Sequence, residues 1–278
     1  MSEDRIEIAG ASLRIWRDAP SWDGRRTAAL GDFACIDAGS GVQLLAQAQR
    51  QLGAEGIEAL VGPMNGDTWS THRLVVESDG RPPFLMEPAD PPHYPVAFEQ
   101  AGWSVVGRYA SAEGPLPDTP SPAASPPGIA LSSFDLHQAE AELADLHRVS
   151  LAAFTRGFLY RPLSQEAFIA QYQPVLSRLD PELVVMARDD VGNLQGFLFA
   201  IPDLVDPSPE RAVILKTYAS LQPGLGSSLA RRFYAQAAAR GYRRVVHALM
   251  HDDNLSARHS ARLGATVFRR YALWGSVL

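Results

Sequence analysis

Apolar residues recur along the C-terminal half of the chain in two rhythms. Over His137–Phe154 and Ser164–Leu179 they fall at helical spacing, the second stretch led by Ser164 as a capping residue. Runs rich in β-branched and aromatic residues follow. Glu182–Asp189 and Leu194–Pro202, with the turn Val191–Asn193 between them, predict a hairpin, and Arg211–Ser220 a third strand. Ser227–Gly241 predicts a helix stopped by its glycine. Tyr242–Met250 reads as a strand, Asn254–Gly264 as a short helix capped by Asn254, and Ala265–Gly275 as a closing strand. The order predicts an α/β fold with a mixed sheet and helices against it.

The N-terminal part repeats the later half of that order. Arg25–Asp37 predicts a strand, Val42–Gly56 a helix and Ile57–Met64 a strand; a proline-broken segment leads to a last strand over Gly102–Ala110. Ala46–Trp69 matches Ala235–Ser256 in pattern, and Ala97–Ala110 matches Ser260–Ala272, both closing on Arg-Tyr-Ala. This reads as a divergent internal repeat, or else as two unrelated strand–helix–strand units. Ser111–Gly128 is dense in proline and small polar residues and reads as a spacer. The expected division is 1–112, a linker at 113–127, and 128–278.

Composition narrows the partners. The chain has 278 residues, 46% of them hydrophobic, and a net charge of -6 with no long basic run, so a nucleic acid is not expected. Cys35 is the single cysteine, which excludes an internal disulfide framework and a multi-cysteine zinc site. His251-Asp252-Asp253 reads as a polar turn, and no metal is expected. The N-terminus lacks an apolar signal core, and no run of about 18 apolar residues suggests a membrane span. A soluble cytoplasmic protein is the expectation. Lys216 is the only lysine among 25 basic residues, which reads as a composition bias.

The stretch Leu221–Ser228 is the strongest candidate for chemistry. A strand that delivers the chain into a helix start makes an anion site, because the first helical N–H groups lack partners. Gly224, Leu225, Gly226, Ser227 and Ser228 are the candidate donors. The plain alternative is a turn that starts a helix.

The succession Val213–Ala219, glycine loop, long helix, Val245–Met250, Asn254-x-Ser256 and Leu263-Gly264-Ala265 resembles the GNAT superfamily of acyl-CoA-dependent N-acetyltransferases, from Gly128 to the C-terminus. The N-terminal part, with Gly62–Trp69 and Gly102–Ser111, resembles the later half of a second such domain. The resemblance implies two GNAT-like mixed-sheet units flanked by helices, the first incomplete and degenerate. It implies acetyl-CoA as cosubstrate and a splayed strand whose backbone at Tyr218 and Ala219 pairs with the pantetheine arm. It places the diphosphate on Gly224–Ser228, with Asn254 and Ser256 on the cofactor, Asn254 also serving as a helix cap. Departures are Leu221 and Pro223 in the loop, and Ser260 where many members carry a tyrosine acid. The N-terminal copy has only Ala38–Gly41 in place of a glycine loop, so it is expected to bind no cofactor and to serve as a structural partner.

Acyl transfer to an amine needs a base and close alignment. His247 is the candidate base, or a histidine packed on a strand face. Tyr218 and Tyr271 are candidate acids for the thiolate, or core aromatics. Arg156, Tyr160 and Arg161 lie where the family places a substrate lid, or form a solvated loop. The function expected is N-acetyl transfer to a small-molecule or protein amine by a monomer or homodimer. The alternative is a catalytically decayed acyl-CoA- or ligand-binding protein. A nucleotide-binding reading lacks the Lys-Ser/Thr end of a P-loop.

Overall fold

Two long strands end the two halves of the chain, β6 (Ser104–Pro115) and β12 (Thr266–Val277), and they pair antiparallel with each other. The computed structural model describes residues 5–116 and 125–278. The N-terminal half supplies β1 (Arg5–Ile8), β2 (Ala11–Trp16), β3 (Thr27–Cys35), β4 (Ala59–Gly62) and β5 (Leu74–Ser78), with helices α1 (Ala38–Ala54) and α2 (His93–Gln100). The C-terminal half supplies β7 (Ile129–Ser133), β8 (Val184–Asp189), β9 (Leu194–Pro202), β10 (Ala212–Ser220) and β11 (Arg244–His251). Its helices are α3 (Ala139–Phe154), α4 (Gln165–Tyr172), α5 (Leu225–Ala239) and α6 (Leu255–Arg262).

Among the described residues all twelve strands form one mixed sheet, in the order β1-β2-β3-β4-β12-β6-β11-β10-β9-β8-β7, with β5 also on β12. The order is symmetric about the β12–β6 seam. On each side an antiparallel neighbour (β4 or β11) is followed by a parallel one (β3 or β10) and then antiparallel strands. The register shares the symmetry: Arg270 faces Ala110, Tyr271 faces Tyr109 and Ala272 faces Arg108. The two Arg-Tyr-Ala triplets seen in the sequence therefore lie across from each other. Each half also gives its last strand to the other, since β12 lies beside β4 and β6 beside β11. The two expected sheet units are thus fused into one sheet by exchange of their closing strands.

The start of the expected spacer is strand. Ser111–Pro115 continue β6, with Gly114 opposite Val245 and Pro115 opposite Arg244. Gly114 permits this because a Cβ there would lie 3.2 Å from Ala265, and Pro115, as the last strand residue, withholds an N–H at little cost. The spacer's residues 117–124 lie outside the described ones. Sequence periodicity did not predict β1, β2, β5, β7 or α2. The helix α2 tolerates Pro95 because the N–H that proline lacks would fall in the first turn, where no helical carbonyl awaits it.

One face, here the rear, carries α1, α2, α5 and α6. Leu44, Leu45 and Leu52 of α1 and Phe98 of α2 pack on Leu13, Leu30 and Leu60, and Trp274 of β12 joins them. The α5 side chains Leu229, Phe233 and Ala237 pack on Val185, Leu198 and Val213. The front face carries α3 and α4 over Val184, Met186 and Phe197. Loops from both halves cover the seam around Tyr109, Leu159 and Tyr271. Among the described residues no helix is long and apolar enough to cross a membrane.

Trp274, fully buried and stacked on Phe98 at 5.3 Å, ties the last strand into the N-terminal core. Trp274→Ala is expected to cost about 3–5 kcal/mol. Urea unfolding followed by circular dichroism should show a single transition moving as a whole. Two separable transitions, only one of which shifts, contradict a shared sheet.

Candidate functional site

The parallel ladder between β10 and β11 runs from Ala212 opposite Arg244 to Leu215 opposite His247, and there it stops. Two local irregularities open it. On β10 the pairing with β9 slips between Leu215 and Thr217, so that Lys216 is bulged, and then continues to Ser220. On β11 the pairing with β6 slips between His247 and Met250, where Leu249 has a left-handed backbone with φ 54. A bulge bends its strand and re-aims side chains. The edges from Lys216 and from Ala248 onward therefore part: the backbone of Tyr218 has no strand beside it on that edge, whereas that of Ala219, in register with Phe197, faces β9 and not the opening, contrary to expectation.

Helix α5 begins at Leu225, two residues before the expected start, so Gly226, Ser227 and Ser228 form its first turn. Leu225 is fully buried and anchors this end in the core. The N-cap is Gly224, with φ 81 and no capping side chain, and a Cβ added there would meet nothing within 4 Å. The Tyr218 ring lies along Gly226, where a Cβ would come to 3.4 Å. This open, positively polarised helix end suits a diphosphate, with Pro223 contributing no donor. The counterpart α1 differs at this point. Asp37 caps it, accepting from Ser40 N at 2.7 Å, and these hydrogen bonds hold its carboxyl below the usual range. An anion of the chain's own already occupies that helix end.

Asn254 holds the N-cap position of α6, but its side chain makes no capping bond there, contrary to expectation. Ser256 lies half-buried in the first turn.

His247 faces the rear. Its Nε2 lies 3.1 Å from the Tyr234 hydroxyl of α5 and its Nδ1 2.6 Å from Ser260 Oγ of α6. Burial, helped by the charge of His259, pushes its pKa down to about 4. The ring is thus neutral, with both nitrogens engaged inside the protein. Ser260, at the expected acid position, is its partner. A cavity of about 250 Å³ adjoins this relay, lined by Gly114, Pro115, Tyr234, Val245, His247, Leu263 and Ala265, toward the start of β11 and away from the parted strands.

Tyr271 is on the front. Its hydroxyl donates to Glu87, with Ser111 Oγ 3.0 Å away, and burial with the Glu87 hydrogen bond raises its pKa strongly. Glu87 also accepts from Arg269 and from Phe84 N at 3.0 Å. Ser111 Oγ accepts from Leu249 N at 3.0 Å, fixing the bulge of β11. The candidate base and this candidate acid therefore stand on opposite faces of the sheet. Tyr218, packed toward α5, is raised by burial.

Three front-face groups were not assigned a role from sequence. Arg73, with φ 73, stacks 4.2 Å over the Tyr109 ring and donates to His72 O at 3.1 Å and Leu249 O at 3.2 Å. Burial pushes its pKa down to about 10. His72 gives its Nδ1 proton to Ser70 O at 2.8 Å, and burial, then the Arg73 charge, pushes it down to about 3. Lys216 is pushed down to about 8 by burial and by the Arg73 charge, against the pull of Glu87. Its being the only lysine was the one signal that pointed to it.

The expected lid is tied to the N-terminal half. Arg161 pairs with Asp18 at 2.9 Å, and Trp69 Nε1 donates to Arg161 O at 2.8 Å. Tyr160 lies 6.1 Å from the Trp69 ring with its hydroxyl buried and unpartnered, and burial raises its pKa. Arg156 is exposed. Among the described residues no cluster of three or more His, Cys, Asp or Glu forms a metal site.

No protein-family model and no curated protein matches the chain. Among solved structures it is similar to a GCN5-related N-acetyltransferase from Sphaerobacter thermophilus, with a TM-score of 0.57 and 16% identity over 96% of this chain and 76% of that one. It is similar to a tandem GNAT protein from the clavulanic acid biosynthesis pathway, at 0.55 and 16%, over 96% and 79%. A conserved protein of Enterococcus faecalis V583, described as a probable N-acyltransferase, aligns at 0.57 and 10%, over 96% and 59%. The chain has the GCN5-related N-acetyltransferase fold.

His247 makes stability depend on pH. The unfolded chain takes up this proton near 6.5 and the folded protein near 4, so the neutral ring's contribution is complete above 6.5 and is lost as pH falls toward 4. That shift is worth about 3 kcal/mol. His247→Gln, which keeps a polar group toward Tyr234 and removes the titrating ring, should flatten this part of the stability–pH curve. An unchanged slope contradicts the buried neutral ring.

Proposed function

We propose that the chain is an acyl-CoA-dependent N-acyltransferase that moves an acetyl group from acetyl-CoA to an amine. The observation that carries this reading is the end of the β10–β11 ladder at Leu215 and His247, beside an α5 terminus that no side chain caps. The freed backbone at Tyr218 pairs with the amide-rich arm, and Gly224–Ser228 hold the diphosphate. Asn254 and Ser256 border the same groove. Acetyl-CoA supplies the activated carbonyl. The amine nitrogen bonds to that carbon, the C–S bond breaks, the sulfur leaves with the electron pair and takes a proton, and the amine gives up one. The chain's part is alignment, and backbone N–H groups of the parted edge stabilise the oxyanion. Proton transfer falls to front-face groups and solvent rather than to His247, whose nitrogens are both engaged.

The N-terminal half is read as a second, cofactor-free copy, with Asp37 in place of a phosphate. Its residues build the front wall of the site, a larger part than packing alone. The division 1–112, 113–127 and 128–278 stands as a sequence-level proposal, with β6 carried on through Pro115. A second reading, acyl-CoA binding without turnover, is favoured by the engagement of His247 and Tyr271.

Calorimetry with acetyl-CoA, followed by thiol release against an amine panel, separates the readings. Wild-type protein should bind. Gly224→Asp, which puts a carboxylate beside the α5 start, should bind at least about tenfold more weakly, and Gly224→Asn, with the same backbone demand and no charge, should lose less. No heat from wild type removes both readings; binding without thiol release leaves the second.

A further inference from the structure

The front face of the parted strands holds positive charge without a matching acid. Arg73 spends Nε and one Nη1 hydrogen on neutral carbonyls, and among the described residues it has no ion pair. Lys216 has neither a hydrogen bond nor an ion pair among the described residues, and the Arg73 charge acts on it directly. Glu87, the acid whose charge reaches Lys216, is already committed to Arg269, Tyr271 and the Phe84 amide. Lys216 thus shares its one nearby carboxylate with Arg269, and Arg73 has none among the described residues, in a region largely withdrawn from water. Such an arrangement is costly unless an anion completes it.

The backbone is strained at the same place. Six non-glycine residues have positive φ among those described. Arg73 and Leu249 are two of them, joined by the Arg73 hydrogen bond to Leu249 O. Leu159 of the lid is a third, packed in one apolar cluster with Tyr109, Tyr271 and Leu249. Strain of this kind persists where the surroundings hold a group for a task. The bulge at Lys216 does the same for a side chain, re-aiming the only lysine of the chain toward the front.

We propose that Arg73 and Lys216 anchor the acceptor: the amine substrate carries a carboxylate, which sits against the Arg73 guanidinium and the Lys216 ammonium on the front face of the parted strands. This names the substrate class for the acyl transfer proposed above and rests on that reading. The guanidinium presents its unused Nη2 hydrogens in a plane suited to a carboxylate. Lys216, shifted to about 8, keeps most of its charge at neutral pH, and a bound carboxylate favours that charged form further. Tyr109, Phe158 and His251 flank the place, with ring centroids 4.9 Å apart for Tyr109 and His251 and 6.3 Å for Phe158 and His251. Arg73 and Tyr109 come from the N-terminal half, so the copy that lacks a cofactor site selects the acceptor.

The test uses matched pairs, glycine, β-alanine, phenylalanine and glutamate against their amides, in thiol release from acetyl-CoA by the full chain. The acids should exceed their amides at least about tenfold in kcat/KM. Lys216→Met and Arg73→Met should bring the ratio toward one, and Lys216→Arg should keep it. Should Arg73→Met fail to fold, the two Lys216 variants carry the comparison alone. In parallel, the N-acetylated acids and their amides are titrated without acetyl-CoA, following the melting temperature. A rise with the acids only, lost in Lys216→Met, supports the anchor even if no amine releases thiol, an outcome that removes the transferase reading alone. Amides equal to acids in both measurements, or an acid preference unchanged in Lys216→Met, overturn the proposal.

Discussion

The antiparallel seam between β6 and β12 is the constraint on which everything else in this molecule depends. It sets Tyr109 opposite Tyr271 and places each closing strand in the other half's sheet. The N-terminal parallel pair β3–β4 is then completed by β12, and β10–β11 by β6. Because the seam crosses between halves, residues distant in sequence become neighbours. Glu87 and Tyr271 are 184 positions apart and share a buried hydrogen bond. Ser111, at the end of the N-terminal half, holds the amide of Leu249 and so fixes the bulge that parts β11 from β10. The opening in the C-terminal half is thus shaped by the N-terminal half.

The two halves handle the same local geometry in opposite ways. In both, a strand runs into a helix whose first amides point outward. On α1 a carboxylate from the chain caps the helix start, and on α5 the glycine cap brings no side chain to it. The difference is one of electrostatics more than of fold: a fixed negative charge at a helix start repels a second anion, whereas an uncapped start attracts one. The parted edge beyond α1 is also filled, since Met64 N donates to Leu30 O and Asn65 Oδ1 accepts from Asp32 N. A pseudo-symmetric frame therefore carries an asymmetric site.

The sequence made the C-terminal elements legible because their apolar spacing is strong, and the Arg-Tyr-Ala repeat marked the two closing strands as counterparts without showing that they pair. It also singled out Gly224–Ser228, since a strand that runs through glycines into a helix start makes an anion site. It did not place His247. Side chains alternate along a strand, but the bulges at Lys216 and Leu249 shift the count, and only the folded sheet shows which face a residue meets. Arg73 and Glu87 were hidden for another reason. They belong to irregular, proline-broken chain with no period to read, and they matter through contacts across the halves. The segment from Ser111 was misleading because strand and spacer share a run of small residues, and Pro115 looks the same at a strand's end as in a linker.

The central claim is that the parted strands and the uncapped helix together grip an acyl-CoA. Amide resonances read it residue by residue. On addition of acetyl-CoA, the N–H groups of Tyr218 and of Gly224–Ser228 should shift and become protected from exchange, while those of Ala38–Gly41 at the start of α1 stay as they were. Unaltered amides at the α5 start, or equal changes at both helix starts, contradict the account.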